Sequence, residues 1–227
     1  EDLANRIRTA IYDHAYEPDA HSFGNGTHDS LALAFGLPTP EERHPVAKSL
    51  ASVYRNNGNQ FDGGFMSYHI YPQLAEHGEV DLALAMLRNA DYPGLAWSIE
   101  NFDATTIWET FTLNREQQQD RSHDHHAMNH PSAWLVTHLA GIQTHPDEPG
   151  PRRLLLQPYI PTDLEWVEAT MQTAYGTVKS AWKQENGKVT WSVTIPPNSV
   201  AEVRLPDAKK QSLERPAGSY TFTWQWR

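Results

Sequence analysis

The 227-residue sequence contains no cysteine, no long apolar run and no initiator Met. The absence of cysteine excludes disulfide frameworks and thiolate metal sites, and it leaves the compartment open because many exported proteins also lack disulfides. No apolar run approaches the length of about 18 residues that a membrane-spanning helix needs, so we expect no membrane partner. The first six residues, EDLANR, show neither the basic nor the apolar segment of a signal peptide.

The sequence also lacks an excess of basic residues. It has 18 Lys and Arg against 28 Asp and Glu, a formal net charge of −10. Tight binding to a nucleic-acid backbone or to anionic lipid needs clustered cations, so neither is expected as a partner. Apolar residues make up 39% of the chain and aromatic residues 11%, which is enough to bury a sizeable core.

Apolar residues recur at three- and four-residue spacing over most of the first 145 residues, which is typical of amphipathic helices. Short joints between paired segments indicate stacked helical hairpins, one of them pivoting at Gly78. We predict helices around Leu3–Tyr12 and over Thr27–Phe35, Glu41–Asn57, Tyr68–His77, Glu79–Asn89 and Pro131–Leu139.

The period becomes two beyond the Pro-, Gly- and charge-rich segment 146–153. Asn186-Gly187 between two alternating runs is a strong hairpin signal, and Pro196-Pro197-Asn198 indicates a further turn. The sequence therefore predicts a mainly α chain with a β appendage: residues 1–145 are helical, and residues 146–227 form a compact antiparallel β-sandwich. The predicted strands cover 154–156, 168–174, 177–184, 188–195, 200–205 and 220–226.

The segment 91–109 (DYPGLAWSIENFDATTIWE) is the richest in chemistry. It carries two glutamates, Glu100 and Glu109. Thr106-x-x-Glu109 has the capping-box pattern that begins a helix, and on residues alone this structural role is favoured for Glu109 over a catalytic one. The two roles are compatible, because a glutamate in the first turn of a helix is held ionised, as a general base must be.

The segment 122–130 (SHDHHAMNH) holds four histidines in nine positions. His126 and His130 have the i, i+4 spacing of some zinc sites. However, Pro131 suits the first turn of a helix, which places 126–130 in a loop rather than on one helical face. Structural hydrogen bonding or contact with a substrate is therefore favoured, and no metal or other cofactor is expected.

The indole rings of Trp97, Trp108 and Trp134 could offer flat faces on which a sugar ring stacks, although core packing is the more usual role of a tryptophan. No nucleophile elbow or phosphate-binding glycine loop competes with this stretch as a catalytic site.

Several motifs together resemble the C-terminal half of the α-L-rhamnosidases of glycoside hydrolase family 78. The similarity extends over essentially the whole chain, and Ala-Thr-Thr-Ile-Trp-Glu is its most specific part. The segments that carry it are 27–37 (THDSLALAFGL), 63–65 (GGF), 92–94 (YPG), 99–100 (IE), 104–109 (ATTIWE), Ser122-x-x-His125, 139–142 (LAGI), and Pro158 with 164–176.

The resemblance implies that residues 1–145 are the second half of an (α/α)6 catalytic barrel and that the β part follows it. It places Glu109 as the general base of an inverting glycosidase and His125 in the sugar pocket. The substrate would be a glycan or glycoside ending in α-L-rhamnose or a related 6-deoxy sugar. Inversion needs a general acid roughly 6.5–9.5 Å from the base, and the resemblance places that acid in an N-terminal half absent from this sequence, to be supplied in cis or by another chain.

Some positions depart from the family pattern. The family commonly has Trp-Gly-Tyr where this chain has Leu95-Ala96-Trp97, a glycine in place of Asp103, and Arg-Trp where this chain has Thr110-Phe111. Loss of that arginine is expected to raise the pKa of Glu109. The alternative to an enzyme is a non-catalytic carbohydrate-binding or structural module.

Overall fold

A computed structural model describes residues 2–57, 68–109, 121–125, 130–206 and 211–226. The chain divides into two compact units, Glu1–Pro131 and Ser132–Arg227. The predicted boundary after residue 145 stays a prediction. No helix in the described ranges is both long enough and apolar enough to span a membrane.

The first unit contains helical hairpins, as the spacing predicts. The Gly78 hairpin is confirmed: its two helices are joined at Gly78, whose φ of +91° favours glycine. The helix over Leu95–Phe102 was not predicted. The helices are α1 (Asp2–Ala15), α2 (Gly26–Ala34), α3 (Arg43–Asn56), α4 (Ile70–Glu76), α5 (Val80–Leu87), α6 (Leu95–Phe102) and α7 (His130–Trp134), the last lying at the boundary between the units.

The core of the first unit comes from the apolar stripes of α3, α4 and α5. Leu50 and Tyr54 of α3, Ile70 and Leu74 of α4, and Met86 of α5 are almost completely buried. Burying side chains of this size contributes roughly 1.5–3 kcal/mol each to folding. These helices therefore hold one another by their apolar faces.

Helix α1 differs, because none of its residues is buried. Tyr12 and Tyr16 pack against Phe23, with ring centroids 6.1 and 5.1 Å away. The apolar stripe of Leu3 and Ile7 lies elsewhere on the helix and is more than half exposed. A stripe at helical spacing is usually covered by a packing partner.

The second unit is built on one six-stranded sheet. Residues 135–139 first form a π-helical turn that ends at Leu139. The strands are β1 (Ile142–Thr144), β2 (Arg153–Leu156), β3 (Trp166–Thr173), β4 (Gly176–Glu185), β5 (Lys188–Arg204) and β6 (Ser212–Gln225). The sheet order is β1-β2-β5-β4-β3, and β6 pairs with β5. The hairpin turn at Asn186-Gly187 is confirmed, with φ of +52° and +71°.

Strand β5 pairs with different strands along its length and so connects the two parts of the sheet. Its first half pairs with β4 and its second half with β2, while β6 follows it on both sides of a register shift between Ile195 and Val200. Pro196-Pro197-Asn198 is therefore an irregularity within one strand, where Asn198 has a φ of +63°. The predicted turn between two separate strands is wrong.

Two parts of the predicted fold class are wrong. The structure is about 37% helix and 31% strand, so the chain is not mainly α. The strands form one nearly closed mixed sheet, in which β2 runs parallel to β5, rather than an antiparallel sandwich. β5 and β6, with 17 and 14 residues, are longer than the predicted strands and raise the strand share, and the pairing of β2 with the second half of β5 makes the sheet mixed.

Buried tryptophans fix the inner face of the sheet. The indole N–H of Trp182 donates to the Leu139 carbonyl at 2.7 Å, and that of Trp191 donates to the Ser180 hydroxyl at 2.8 Å. The Ser180 hydroxyl in turn donates to the Ala140 carbonyl at 2.5 Å. These bonds satisfy polar groups that would otherwise be costly to bury, and they anchor the segment 139–140 to the sheet.

A second polar cluster surrounds Glu202 on β5. One carboxylate oxygen accepts from Arg204 at 2.7 Å and Ser212 at 2.8 Å, and the other lies 2.9 Å from Nε2 of the buried His145. Hydrogen bonding from Arg204 is the main cause that lowers the pKa of Glu202 to about 2, against the opposing effect of burial. The ionised carboxylate is therefore part of the folded state.

Glu202→Gln should reduce the free energy of unfolding at pH 7 by about 2 kcal/mol. The folded pKa lies below the ordinary value of 4.5, so the stabilisation is complete above pH 4.5 and is lost as the pH falls towards 2. Urea unfolding at several pH values should therefore show the wild type and the variant converging in acid. Glu168→Gln, at an exposed position of β3, is the control; a pH-independent gap would contradict this role.

Candidate active site

The end of the predicted catalytic stretch is hydrogen-bonded to the start of the histidine-rich segment. The Glu109 N–H donates to the Ser122 carbonyl at 2.9 Å, and the His125 N–H donates to the Ile107 carbonyl at 2.9 Å. The Thr106 hydroxyl also donates to the His123 carbonyl. Residues 106–109 and 121–125, called the clasp below, thus run antiparallel to each other. The clasp brings together the backbones of the two predicted site residues.

The Glu109 carboxylate is held by two consecutive residues of the clasp. The Ser122 N–H donates to Oε2 at 3.0 Å, and a terminal nitrogen of Arg121 lies 3.4 Å from Oε1. The side chain is 31% exposed, so solvent can reach it. Glu109 thus combines fixed backbone geometry with access to water.

The surroundings of Glu109 favour its ionised form. The hydrogen bond from the Ser122 N–H is the largest cause that lowers the pKa of Glu109, and the charges of Arg121 and His125 act in the same direction. Partial desolvation opposes them. The net direction is downward, which keeps Glu109 in the form that a general base requires.

This result reverses the pKa expectation drawn from the sequence. The absence of an arginine at Thr110-Phe111 led us to expect a raised pKa for Glu109, whereas the pKa is lowered. The reason is that Arg121 places its guanidinium beside the carboxylate from the opposite side of the clasp. No sequence pattern singled out Arg121.

The capping-box interpretation of Thr106 and Glu109 is wrong. Residues 104–109 contain no helix. The Thr106 side chain bonds to His123, and the Glu109 side chain bonds to Ser122, so neither caps a helix start. Partners in the distant segment 121–125 have replaced the local bonds that the motif predicts.

A chain of aromatic rings leads from α6 into the clasp. Its successive centroid separations of 4.7–5.6 Å are typical of favourable ring contacts. Trp108 is only 6% exposed and is stacked against Phe102 and His123, which supports core packing as its role. The chain links Tyr92, Trp97, Phe102, Trp108 and His123.

The other candidates are placed as follows. Trp134 is 1% exposed and also belongs to a core. His130 is buried among aromatic rings, 5.7 Å from the ring of Tyr71. His126 lies outside the described residues. Glu100 is exposed on α6. Within the described ranges, no three His, Cys, Asp or Glu side chains are grouped as a metal site.

Comparison with known protein families gives two matches. Residues 1–139 match the bacterial alpha-L-rhamnosidase 6 hairpin glycosidase domain, and residues 141–220 match the bacterial alpha-L-rhamnosidase C-terminal domain. Both matches are to domains of one glycosidase family. The chain belongs to the bacterial α-L-rhamnosidase family, glycoside hydrolase family 78, and corresponds to its C-terminal portion.

Individual relatives agree with this placement. An alpha-L-rhamnosidase of Formosa agariphila is 29% identical over 94% of this chain and 25% of its own length. The crystal structure of an alpha-L-rhamnosidase from Aspergillus terreus superposes with a TM-score of 0.87 at 23% identity, over 98% of this chain and 26% of that one. The Streptomyces avermitilis alpha-L-rhamnosidase, solved in complex with L-rhamnose, gives a TM-score of 0.85 at 24% identity, over 99% and 24%.

The solved structures show a shared fold. The chain spans about a quarter of the length of the curated relatives and solved structures it matches.

Proposed function

We propose that this chain is part of an inverting glycosidase that releases terminal α-L-rhamnose, or a related 6-deoxy sugar, from glycans or glycosides. The observation that carries the proposal is the ionised, solvent-accessible carboxylate of Glu109, held in the same clasp as His125. The relatives named alpha-L-rhamnosidase support the choice of sugar.

Glu109 acts as the general base. Its Oε1 accepts a proton from a water molecule as the water oxygen attacks the anomeric carbon of the sugar. The bond to the leaving oxygen breaks on the opposite face of the ring, and a general acid protonates that oxygen. Because Oε2 is occupied by the Ser122 N–H at 3.0 Å, Oε1 is the oxygen better placed to receive the proton.

His125 contacts the sugar hydroxyls. Its backbone is fixed by the bond to the Ile107 carbonyl, and its side chain is partly buried. An imidazole can donate from one ring nitrogen and accept at the other, which suits it to hold a hydroxyl group. The residue thereby orients the ring relative to the water activated by Glu109.

The general acid and the rest of the pocket belong to a complementary part of the barrel, supplied in cis or by another chain. The exposed stripe of Leu3, Ile7 and Ile11 on α1 supports this division. Such a stripe is the kind of surface that helices of a barrel cover. No cofactor takes part in this mechanism.

The stereochemistry of the first product tests this function. With the complementary part of the barrel present, an aryl α-L-rhamnoside should give β-L-rhamnose first, observed by proton NMR before mutarotation. Initial release of the α-anomer would contradict inversion. Glycan binding without any hydrolysis would show instead that the protein is a non-catalytic carbohydrate-binding module.

A further inference from the structure

Arg121 lies beside Glu109 although 12 positions separate them in the sequence. Two hydrogen bonds between Glu109 and Ser122 set this juxtaposition: the Glu109 N–H donates to the Ser122 carbonyl, and the Ser122 N–H donates to the Glu109 carboxylate. Arg121 immediately precedes Ser122. Its position next to the carboxylate is therefore built into the register of the clasp.

The two oxygens of Glu109 are not held equally. Oε2 receives a backbone N–H at 3.0 Å, whereas Oε1 faces the Arg121 guanidinium at 3.4 Å. The bond from the Ser122 N–H restrains the carboxylate, and Oε1 retains lone-pair capacity to accept a hydrogen bond from a water molecule. Catalytic contacts are often long in a free enzyme and shorten when the substrate is bound.

Stability is a poor explanation for this ion pair. The Arg121 side chain is 54% exposed and that of Glu109 is 31% exposed. Ion pairs at this exposure contribute little to folding because water screens them and two long side chains lose freedom. A guanidinium beside an oxygen that takes up a proton nevertheless acts directly on the protonation of that oxygen.

We propose that Arg121 is a positioning residue for the hydrolytic base: its guanidinium orients Oε1 of Glu109 and keeps the carboxylate ionised in acid, so that activity extends to lower pH. This inference rests on the proposed function of Glu109. His125 acts on Glu109 from the same segment and in the same direction, so the contribution of Arg121 has to be measured separately.

The first measurement does not depend on activity. Carboxyl-carbon NMR of this chain, with the Glu109 signal identified from its loss in Glu109→Gln, gives the titration of Glu109 directly. Arg121→Gln should move that titration to higher pH, and Arg121→Lys should restore much of the original position. Arg55→Gln, which removes another exposed arginine ion pair of the first unit, should leave it unchanged.

The second measurement uses the chain together with the complementary part of the barrel. Arg121→Gln should lower kcat roughly two- to fivefold on the acidic side of the pH profile, the factor typical of an exposed ion pair. On the plateau kcat should change little, and Arg121→Lys should recover the acidic side. A merely structural role would lower kcat equally at every pH.

The outcomes separate the two ideas. An unchanged Glu109 titration in Arg121→Gln overturns the role of Arg121, whatever the activity. A shifted titration with an unshifted kcat profile shows that Arg121 acts on Glu109 but that Glu109 is not the base, which overturns the proposed function. Parallel shifts in both measurements support both.

Discussion

Glu109→Gln should abolish hydrolysis almost completely, with kcat falling by roughly a thousandfold. The amide is close to the carboxylate in shape, and its oxygen can still accept the Ser122 N–H, but it cannot take a proton from water. The comparison requires the complementary part of the barrel to be present. Initial rates on an aryl α-L-rhamnoside, with substrate in excess, measure the effect.

The same variant should fold normally. Glu109 is part of a backbone-paired clasp whose two main-chain bonds do not involve its side chain. The melting temperature should therefore stay within about 3 °C of the wild type. Glu100→Gln, an exposed glutamate of α6, is the matched control and should retain full activity. Substantial activity in Glu109→Gln would show that another group activates the water.

Gly141→Ala should strongly destabilise the second unit. Gly141 has a φ of +76°, and a Cβ placed on it would lie 2.3 Å from both the Gln157 carbonyl carbon and the Pro158 nitrogen. The neighbours are backbone atoms that cannot rotate away. We expect a loss of about 3 kcal/mol or more, with a fall in the melting temperature of that unit of about 12–24 °C.

Two causes contribute to this loss, the positive φ and the steric clash of the added Cβ. A second glycine, with a similar φ but with free space where the Cβ would lie, separates them. Gly36 has a φ of +63°, and a Cβ added there would have no heavy atom of another described residue within 4 Å beyond its chain neighbours. Gly36→Ala should therefore cost only the roughly 1–2 kcal/mol of the left-handed backbone. Chemical unfolding followed by tryptophan fluorescence measures both variants. Equal losses at the two sites would show that the close approach to residues 157–158 is relaxed at little cost.

The sequence correctly predicted those elements whose geometry is set by residues adjacent in the chain. The Asn186-Gly187 hairpin and the Gly78 hairpin follow from residues that accept positive φ, and both were predicted. Strand β5 was not predicted as one element, because Pro196-Pro197-Asn198 has the composition of a turn. Its continuity depends on pairing with β6, a partner that the local sequence does not reveal.

The candidate site shows the same limit. Glu109 and His125 were named through a family resemblance, whereas the capping box that the local pattern favoured does not form. The Glu109 carboxylate is bound by Ser122 and Arg121, which lie across the clasp, and not by the local backbone as in a capping box. Arg121 could not be found in advance, because the register that places it beside Glu109 is a tertiary property.

The double pairing of β5 has a consequence for biosynthesis. Strand β6, which lines β5 on both sides of the irregularity, follows the other five described strands in the chain and is translated after them. Until it emerges from the ribosome, the nascent sheet has an unpaired edge next to the apolar residues Val189, Trp191 and Val193. Edges of this kind recruit strands from other chains. Correct folding of the second unit thus depends on the time between the synthesis of β5 and its pairing with β6.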